Sequence, residues 1–203
     1  MRLKSLALAC TLAAAPVYAA DITVPGGTYE LKPTHSSLHW KVKHFGISNY
    51  FAGFTGISAT LELDAAEPTN SQLTASVKTA SVDTGFPWPE EDSWDAELAG
   101  PDWFNSAEFP TADFKATNLE LTGDNTGQMT GDMTFMGVTK PVTFEVELVG
   151  QLPERKHADG AVIGFAGTAR FNRSDFGLDQ LIPVASDEVM LFINAEFHQV
   201  VSE

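Results

Sequence analysis

Cysteine is almost absent from the 203-residue sequence. The only cysteine, Cys10, lies in an apolar run near the amino terminus. Arg2 and Lys4 precede this run, and small residues end it at Ala19. This order is typical of a secretory signal peptide, and the run is too short to span a bilayer. We therefore predict a cleaved signal peptide over residues 1–19 and one mature domain over residues 20–203. A mature chain without cysteine excludes disulfides, thiolate nucleophiles and cysteine-ligated metals.

Basic residues are scarce. The chain has 12 Lys and Arg against 27 Asp and Glu, a net charge of −15. Removing Arg2 and Lys4 with the signal peptide leaves 10 basic and 27 acidic residues, or −17. Such a surface repels a phosphate backbone, so we expect no nucleic-acid partner. It also repels anionic lipid headgroups, which favours transient membrane contact over stable docking.

Catalytic signatures are missing as well. The sequence has neither a Gly-x-Ser-x-Gly elbow nor a phosphate-binding loop, and its carboxylates fall mostly on solvent faces or in turns. His35 and His39 have the spacing of a helical zinc pair. They lie on an extended segment, however, where four residues separate them by roughly 13 Å. We therefore predict that the protein is not an enzyme and has neither a metal site nor a cofactor.

What the sequence does contain is a repeated period-2 alternation of apolar and polar residues. This pattern is typical of strands that lie between a core and water. It occurs over residues 37–44, 57–64, 73–78, 114–118, 129–135, 142–148, 163–171 and 189–197. The fourth segment changes face near Asn118, which suggests a β-bulge. Eight such strands form a sandwich or a closed barrel, and the barrel is favoured because closure removes exposed edges.

One segment, 86–109, departs from the strand pattern. Pro89-Glu90-Glu91-Asp92 resembles a helix start, and Gly100-Pro101 a helix stop. Trp94 and Leu98 would share one face. We predict a short helical insertion at about 88–100 whose aromatic surroundings pack on the barrel. A lid over a ligand and a simple plug both fit this pattern.

Small residues recur among the large ones in the inward rows. Ala59, Ala75, Gly131, Gly167 and Ala195 fit either a ligand cavity or tapered packing, and the residues alone leave both open. His44 ends an inward row, where its imidazole could meet a headgroup or a neighbouring backbone group. Arg173 could form an ion pair with Asp175 or bind a headgroup.

If the interior holds a ligand, its predicted binding residues are the inward apolar side chains with these two polar groups. They are Leu38, Trp40, Val42, His44, Phe54, Ile57, Leu61, Val77, Phe114, Met133, Phe135, Phe144, Val146, Phe165, Phe171, Arg173, Phe176, Leu191 and Ile193.

Five motifs in order give the sequence a family resemblance. They are His35–His44, Gly53-Phe54 with the strand after it, Trp103-Phe104 with Phe109-Pro110, Gly131–Val142, and Arg173–Gly177. From Tyr29 to Phe197 the chain resembles the YceI-like family of polyisoprenoid-binding proteins. The resemblance implies an extended, lipocalin-like, eight-stranded antiparallel β-barrel. It also implies an elongated pocket for an isoprenoid chain or another amphiphile, and a periplasmic location.

These inferences together predict a periplasmic carrier that sequesters one long apolar lipid without chemistry. The lipid would be an isoprenoid quinone, a polyprenyl lipid or a similar amphiphile. The alternatives are an isoprenoid-processing enzyme that uses the same pocket and a ligand-free structural or partner-binding barrel. A homodimer is also open.

Overall fold

The computed structural model describes residues 21–87, 93–154 and 160–201. The predicted signal peptide and the predicted helix start at 89–92 lie outside these ranges. The described residues form eleven strands and one α-helix. The strands are β1 (Gly27–Leu31), β2 (Ser37–His44), β3 (Ser48–Phe54), β4 (Ile57–Leu63), β5 (Gln72–Lys78), β6 (Val82–Asp83), β7 (Thr111–Leu121), β8 (Thr126–Phe135), β9 (Val138–Leu152), β10 (Val162–Asn172) and β11 (Glu188–Gln199), and the helix is α1 (Trp94–Ala99).

All pairings between the strands are antiparallel, and the sheet closes through β1 and β11. β1 and β2 pair one after the other with the same edge of β11. In the same way β4 and β3 pair with β1 and β2, and β5 and β6 pair with β4 and β3. The first six strands therefore occupy three positions around the barrel, and β7 to β11 occupy five. The predicted eight-stranded antiparallel barrel is confirmed.

The break between β1 and β2 is a turn of 3₁₀-helix at Pro33–His35. Proline suits this position because it fixes its own φ and has no N–H to donate to a strand ladder. The turn stays attached to the barrel, since the Lys32 N–H donates to the Glu196 carbonyl at 2.8 Å. β1 and β2 can therefore follow β11 along most of its length despite the bend.

Each of the eight predicted segments coincides with a strand, although β4 ends at Leu63, one residue before the predicted end. The register of β7 against β8 shifts between Ala116 and Asn118, as the predicted bulge requires. The sequence analysis missed β1, β3 and β6. In β3 the alternation is masked because Phe51 points outward and is 52% exposed. The Lys41 ammonium lies 5.9 Å from the Phe51 ring and 5.5 Å from the Phe192 ring on this outer surface.

Separate clusters of buried side chains pack at the two ends of the barrel. Tyr29, Ile163 and Phe197 form the centre of one cluster, and the Tyr29 hydroxyl donates to the Pro25 carbonyl at 2.6 Å. At the other end Leu98 of α1 packs with three residues from other segments. These are Val82, Phe104 and Leu178.

The helix α1 is a single short element of six residues. The Ser93 side chain caps it by accepting from the Ala96 N–H, and it ends at Gly100 as predicted. Leu98 is buried and Trp94 packs beside it, on the shared face that the spacing predicted. In the part of the chain that the structure describes, no helix is long and apolar enough to cross a membrane.

Candidate ligand-binding cavity

The inner face of the barrel encloses a cavity of about 1270 Å³, and strands at all eight positions contribute to its lining. Small-molecule pockets usually measure about 300–1,000 Å³, so this cavity has room for a larger ligand. On β11 the lining runs through alternate residues from Val189 to Phe197, a span of roughly 26 Å at the rise of a strand. The cavity is therefore long as well as large.

All the predicted binding residues line this cavity except Phe176. Phe176 is 1% exposed and packs behind the lining, with its ring centroid 6.0 Å from that of Phe135 and 5.4 Å from that of Phe171. The prediction was wrong because β10 ends at Asn172 and a 3₁₀ turn over Arg173–Phe176 reorients the chain. The alternation of the strand does not continue to this residue.

Four of the five small inward residues also line the cavity. They are Ala59, Ala75, Gly167 and Ala195. Gly131 has a different role, because a Cβ placed there would collide with the Phe114 ring and the Lys115 carbonyl. The Phe114 ring lies over this glycine and meets the Phe144 ring edge to face, with centroids 5.2 Å apart. Gly131 thus makes room for the cavity wall.

Arg173 lines the cavity, and the structure gives its side chain other partners than the predicted Asp175. Its guanidinium is buried and donates to four backbone carbonyls of the loop that follows β10. These are the carbonyls of Ser186 at 2.9 Å, Leu178 at 3.0 Å, Gln180 at 2.7 Å and Ala185 at 3.1 Å. Burial lowers the pKa of Arg173, and the charges of Asp187 and Asp179 oppose that shift. Arg173 therefore holds the loop against the barrel, and the hydrogen bonds that the structure gives it are with these carbonyls and not with Asp175.

His44 lies at the open end of the cavity, where it is both part of the lining and exposed to solvent. Its ring meets the Phe45 ring edge to face at 4.6 Å between centroids. The β2–β3 hairpin turn is fastened to the loop after β10 by a hydrogen bond of 2.7 Å from the Phe45 N–H to the Val184 carbonyl. The hairpin and the loop together form the mouth.

Large apolar side chains project into solvent around this mouth. We call Phe45, Ile47, Leu181 and Ile182 the apolar rim; Ile47 is 86% exposed and Phe45 61%. Phe45 and Leu181 also have positive φ angles of 51° and 59°. Bulky residues rarely adopt this conformation, and hairpin turns that need it usually take Asn or Gly. The rim is thus apolar at positions where local geometry favours polar or small residues.

Two polar atoms near the same end of the cavity are buried without a hydrogen-bond partner among the described residues. They are Nε1 of Trp40 and the hydroxyl of Tyr50. Both side chains line the cavity, with ring centroids 6.0 Å apart. The Tyr50 phenol keeps its proton at neutral pH, and burial raises its pKa above the ordinary value. Each such orphaned group costs about 1–3 kcal/mol.

The segment after residue 93 forms the wall at this end. Trp94, Leu98, Trp103 and Phe104 line the cavity, and the Phe104 ring lies 5.7 Å from both the Phe54 and the Phe135 rings. Sequence analysis missed Tyr50 and the lining residues Leu178, Leu181 and Val184. The apolar residues Leu178, Leu181 and Val184 recur at short intervals in the loop after β10, and this spacing could have indicated that the loop lines the cavity. Tyr50 could not be found in this way, because it lies in β3, which the alternation did not reveal.

An eight-stranded antiparallel barrel around a large apolar cavity belongs to the class of β-barrels that can enclose a ligand. Within this class the chain belongs to the YceI-like family, whose domain model matches residues 29–197. A UPF0312 protein of Pseudomonas fluorescens is 34% identical over 167 residues, which are 82% of this chain and 81% of the relative.

Solved structures agree with this assignment. The YCEI protein of Campylobacter jejuni is 28% identical and superposes with a TM-score of 0.67 over 79% of this chain and 91% of its own. A polyisoprenoid binding domain from Saccharophagus degradans is 15% identical, with a TM-score of 0.62 over 85% of this chain and 98% of its own. At that identity the second likeness concerns the fold.

The hydrogen bonds of Arg173 lead to a prediction about stability. Arg173→Met keeps much of the side chain's length but leaves four carbonyls without their donor, so we expect unfolding to become easier by about 3 kcal/mol. Urea denaturation of the mature domain measures this change. Arg170→Met is the matched control, because the Arg170–Glu188 pair is more than half exposed and should contribute less than about 1 kcal/mol. Equal losses in the two variants would contradict the role assigned to Arg173.

Proposed function

We propose that the protein carries one long apolar lipid in the barrel cavity and releases it unaltered. The observation that carries this proposal is the cavity of about 1270 Å³ that follows the barrel axis between apolar rows of side chains. The fold likeness to a domain described as polyisoprenoid binding supports the same ligand class. With the predicted signal peptide, this makes the protein a periplasmic lipid carrier.

The unpartnered polar atoms favour a particular kind of headgroup. Trp40 Nε1 can only donate, and the Tyr50 hydroxyl, which lies near Thr84 and Trp94 without hydrogen-bonding geometry to them, can donate as well. An acceptor oxygen on the ligand would satisfy both groups after small side-chain movements. Such an oxygen would recover part of the free energy that their burial costs.

Local charge favours a neutral acceptor over a phosphate. The Arg173 guanidinium at this end already binds four carbonyls. Glu97 lines the cavity nearby, and Asp95 lies close enough to Tyr50 to affect its pKa. An anionic headgroup would meet these carboxylates, while Arg173, the cation at this end, has four of its N–H groups engaged and already interacts with the charges of Asp187 and Asp179. An isoprenoid quinone, with neutral carbonyl oxygens, therefore fits better than a polyprenyl phosphate.

Binding without chemistry is favoured over an isoprenoid-processing enzyme in the same pocket. The candidate residues for such chemistry are His44 and Arg173, and the guanidinium of Arg173 is engaged by the loop after β10. His44 is open to water at the mouth, where it could not exclude solvent from a reacting group. The contacts of His44 and Arg173 therefore favour a role in forming the mouth of the cavity over a role in catalysis.

The apolar rim provides a way for the lipid to enter. Leu181 belongs to both the rim and the cavity lining, so a tail leaving a bilayer at this point stays in contact with apolar surface. We propose that the rim touches the membrane while the acidic remainder of the protein keeps the contact brief.

Filling the cavity should remove the lipid without unfolding the barrel. Ala59→Phe and Ala195→Phe place rings among the lining residues. Inserting extra volume into a packed interior costs about 1–3 kcal/mol. When the added ring meets the bound lipid, this cost corresponds to about 5- to 150-fold weaker retention of the lipid. Mass spectrometry of lipids extracted from the purified periplasmic protein measures the occupancy. Thr143→Phe, on the outer face of β9, is the control and should keep the lipid. Persistent absence of lipid from the unsubstituted protein, with no uptake of added quinone or polyprenol, would refute the proposed function.

The headgroup proposal has a separate test. Trp40→Phe and Tyr50→Phe each remove one donor and should weaken binding of an isoprenoid quinone by about 2- to 10-fold, at about 0.5–1.5 kcal/mol per hydrogen bond. Binding of squalene, which has no headgroup, should not change. Fluorescence titration gives both affinities. Tyr29→Phe is the control, because its hydroxyl bonds Pro25 at the opposite end. Equal losses for quinone and squalene would show that the two residues act through packing alone.

Charging the rim should slow lipid exchange. Phe45→Asp with Ile47→Asp removes apolar side chains whose burial contributes about 1.5–3 kcal/mol each, so transfer should slow at least about tenfold. Transfer of quinone from phosphatidylcholine vesicles to the protein measures the rate. Val149→Asp is the control, since Val149 is 65% exposed but lies away from the mouth, at the bulge of β9. Transfer that slows equally in the control would exclude a specific docking rim.

A further inference from the structure

Three potential metal ligands converge on the outer face of the barrel. Oε1 of Glu196 lies 2.9 Å from Nδ1 of His35 and 2.7 Å from Nε2 of His198. The three atoms all lie within 4.8 Å of one another. The side chain of His198 is 22% exposed and that of Glu196 34%, so a small ion from solution can reach the group.

The backbone holds these side chains in place. Glu196 and His198 are two residues apart on β11, so both point outward while Phe197 between them is buried inside. The 3₁₀ turn that carries His35 is fastened to Glu196 from both sides. The Lys32 N–H donates to the Glu196 carbonyl at 2.8 Å, and the Glu196 N–H donates to Oγ of Ser36 at 3.0 Å. The cluster is thus assembled before any ion arrives.

We propose that His35, Glu196 and His198 bind one divalent transition-metal ion, for which Zn²⁺ is the best match. Two imidazole nitrogens and one carboxylate oxygen are a common ligand set for zinc, at about 2.0–2.2 Å, with water in the remaining position. Small rotations of side chains would bring the three atoms to these distances. The ion would replace the two hydrogen bonds that now hold the group together.

A further acidic residue neighbours the cluster in the sheet. Glu30 of β1 is directly opposite His198 of β11 and points to the same outer face. The site joins the 3₁₀ turn between β1 and β2 to β11, where the barrel closes. A bound ion would therefore fasten the bend of the first barrel strand. This proposal does not depend on the ligand of the interior, because the site lies on the other side of the sheet.

Isothermal titration of the tag-free mature protein with ZnCl₂ tests the site. We expect one Zn²⁺ per chain. Loss of a residue that only hydrogen-bonds to a metal ligand typically weakens metal binding by about 10- to 100-fold. His35→Ala, His198→Ala and Glu196→Gln each remove a ligand itself, so each should weaken binding by at least this factor. His39→Ala is the matched control and should leave the affinity unchanged, since His39 is an exposed histidine on the outer face of β2 that is not part of the cluster.

Imidazole NMR spectra of the unsubstituted protein give a second readout that needs no folded variant. Zn²⁺ should shift the ring resonances of His35 and His198 and leave those of His39 in place. The proposal is overturned if the unsubstituted protein binds no Zn²⁺, if His35→Ala binds as tightly as His39→Ala, or if the resonances of His39 move in place of the other two.

Discussion

The pairing of β11 on both edges is the interaction on which the rest of the structure depends. One edge runs along β10, and the other runs first along β2 and then along β1, from Lys41 opposite Met190 to Tyr29 opposite Gln199. Closure fixes the distance across the barrel, so the size of the inward side chains decides whether the centre is filled. Tyr29 and Ile163 are fully buried in the cluster at one end. Nearer the middle Ala195 and Gly167 leave the centre open. The cavity therefore results from small inward residues in a barrel whose width is fixed by closure.

Features that repeat along the chain could be predicted from the sequence. Alternation located eight strands and their inward faces, and it also revealed the bulge near Asn118, because each of these features depends on residues that are neighbours in sequence. β3 was missed because its sequence neighbours do not show the alternation. Its outward Phe51 is stabilised by Lys41 from the adjacent strand, so the local pattern no longer separates core from surface.

Contacts between distant segments were beyond reach of the sequence. Arg173 and Asp175 look like an ion pair when only spacing is considered, but the acceptors of Arg173 are carbonyls of a loop whose path is set by the barrel end. His35 was compared with His39, four residues away. Its actual neighbours, Glu196 and His198, are more than 160 residues further along the chain and meet it only because β11 closes the barrel. Such sites require the register of the strands.

For the proposed lipid carrier, the energetics of transfer explain why the polar groups matter in a mostly apolar cavity. Burying a tail of some dozens of carbons is worth on the order of 20–30 kcal/mol against water, at about 0.8 kcal/mol per methylene. A bilayer offers almost the same free energy, so the tail contributes little to the choice between protein and membrane. Selectivity must then come from terms of a few kcal/mol, such as the unpartnered donors of Trp40 and Tyr50. With 27 acidic against 12 basic residues, the surface repels an anionic membrane, whereas the apolar rim favours contact with its interior. In the proposed carrier, these two opposing terms would allow contact that is long enough for exchange and too weak for retention.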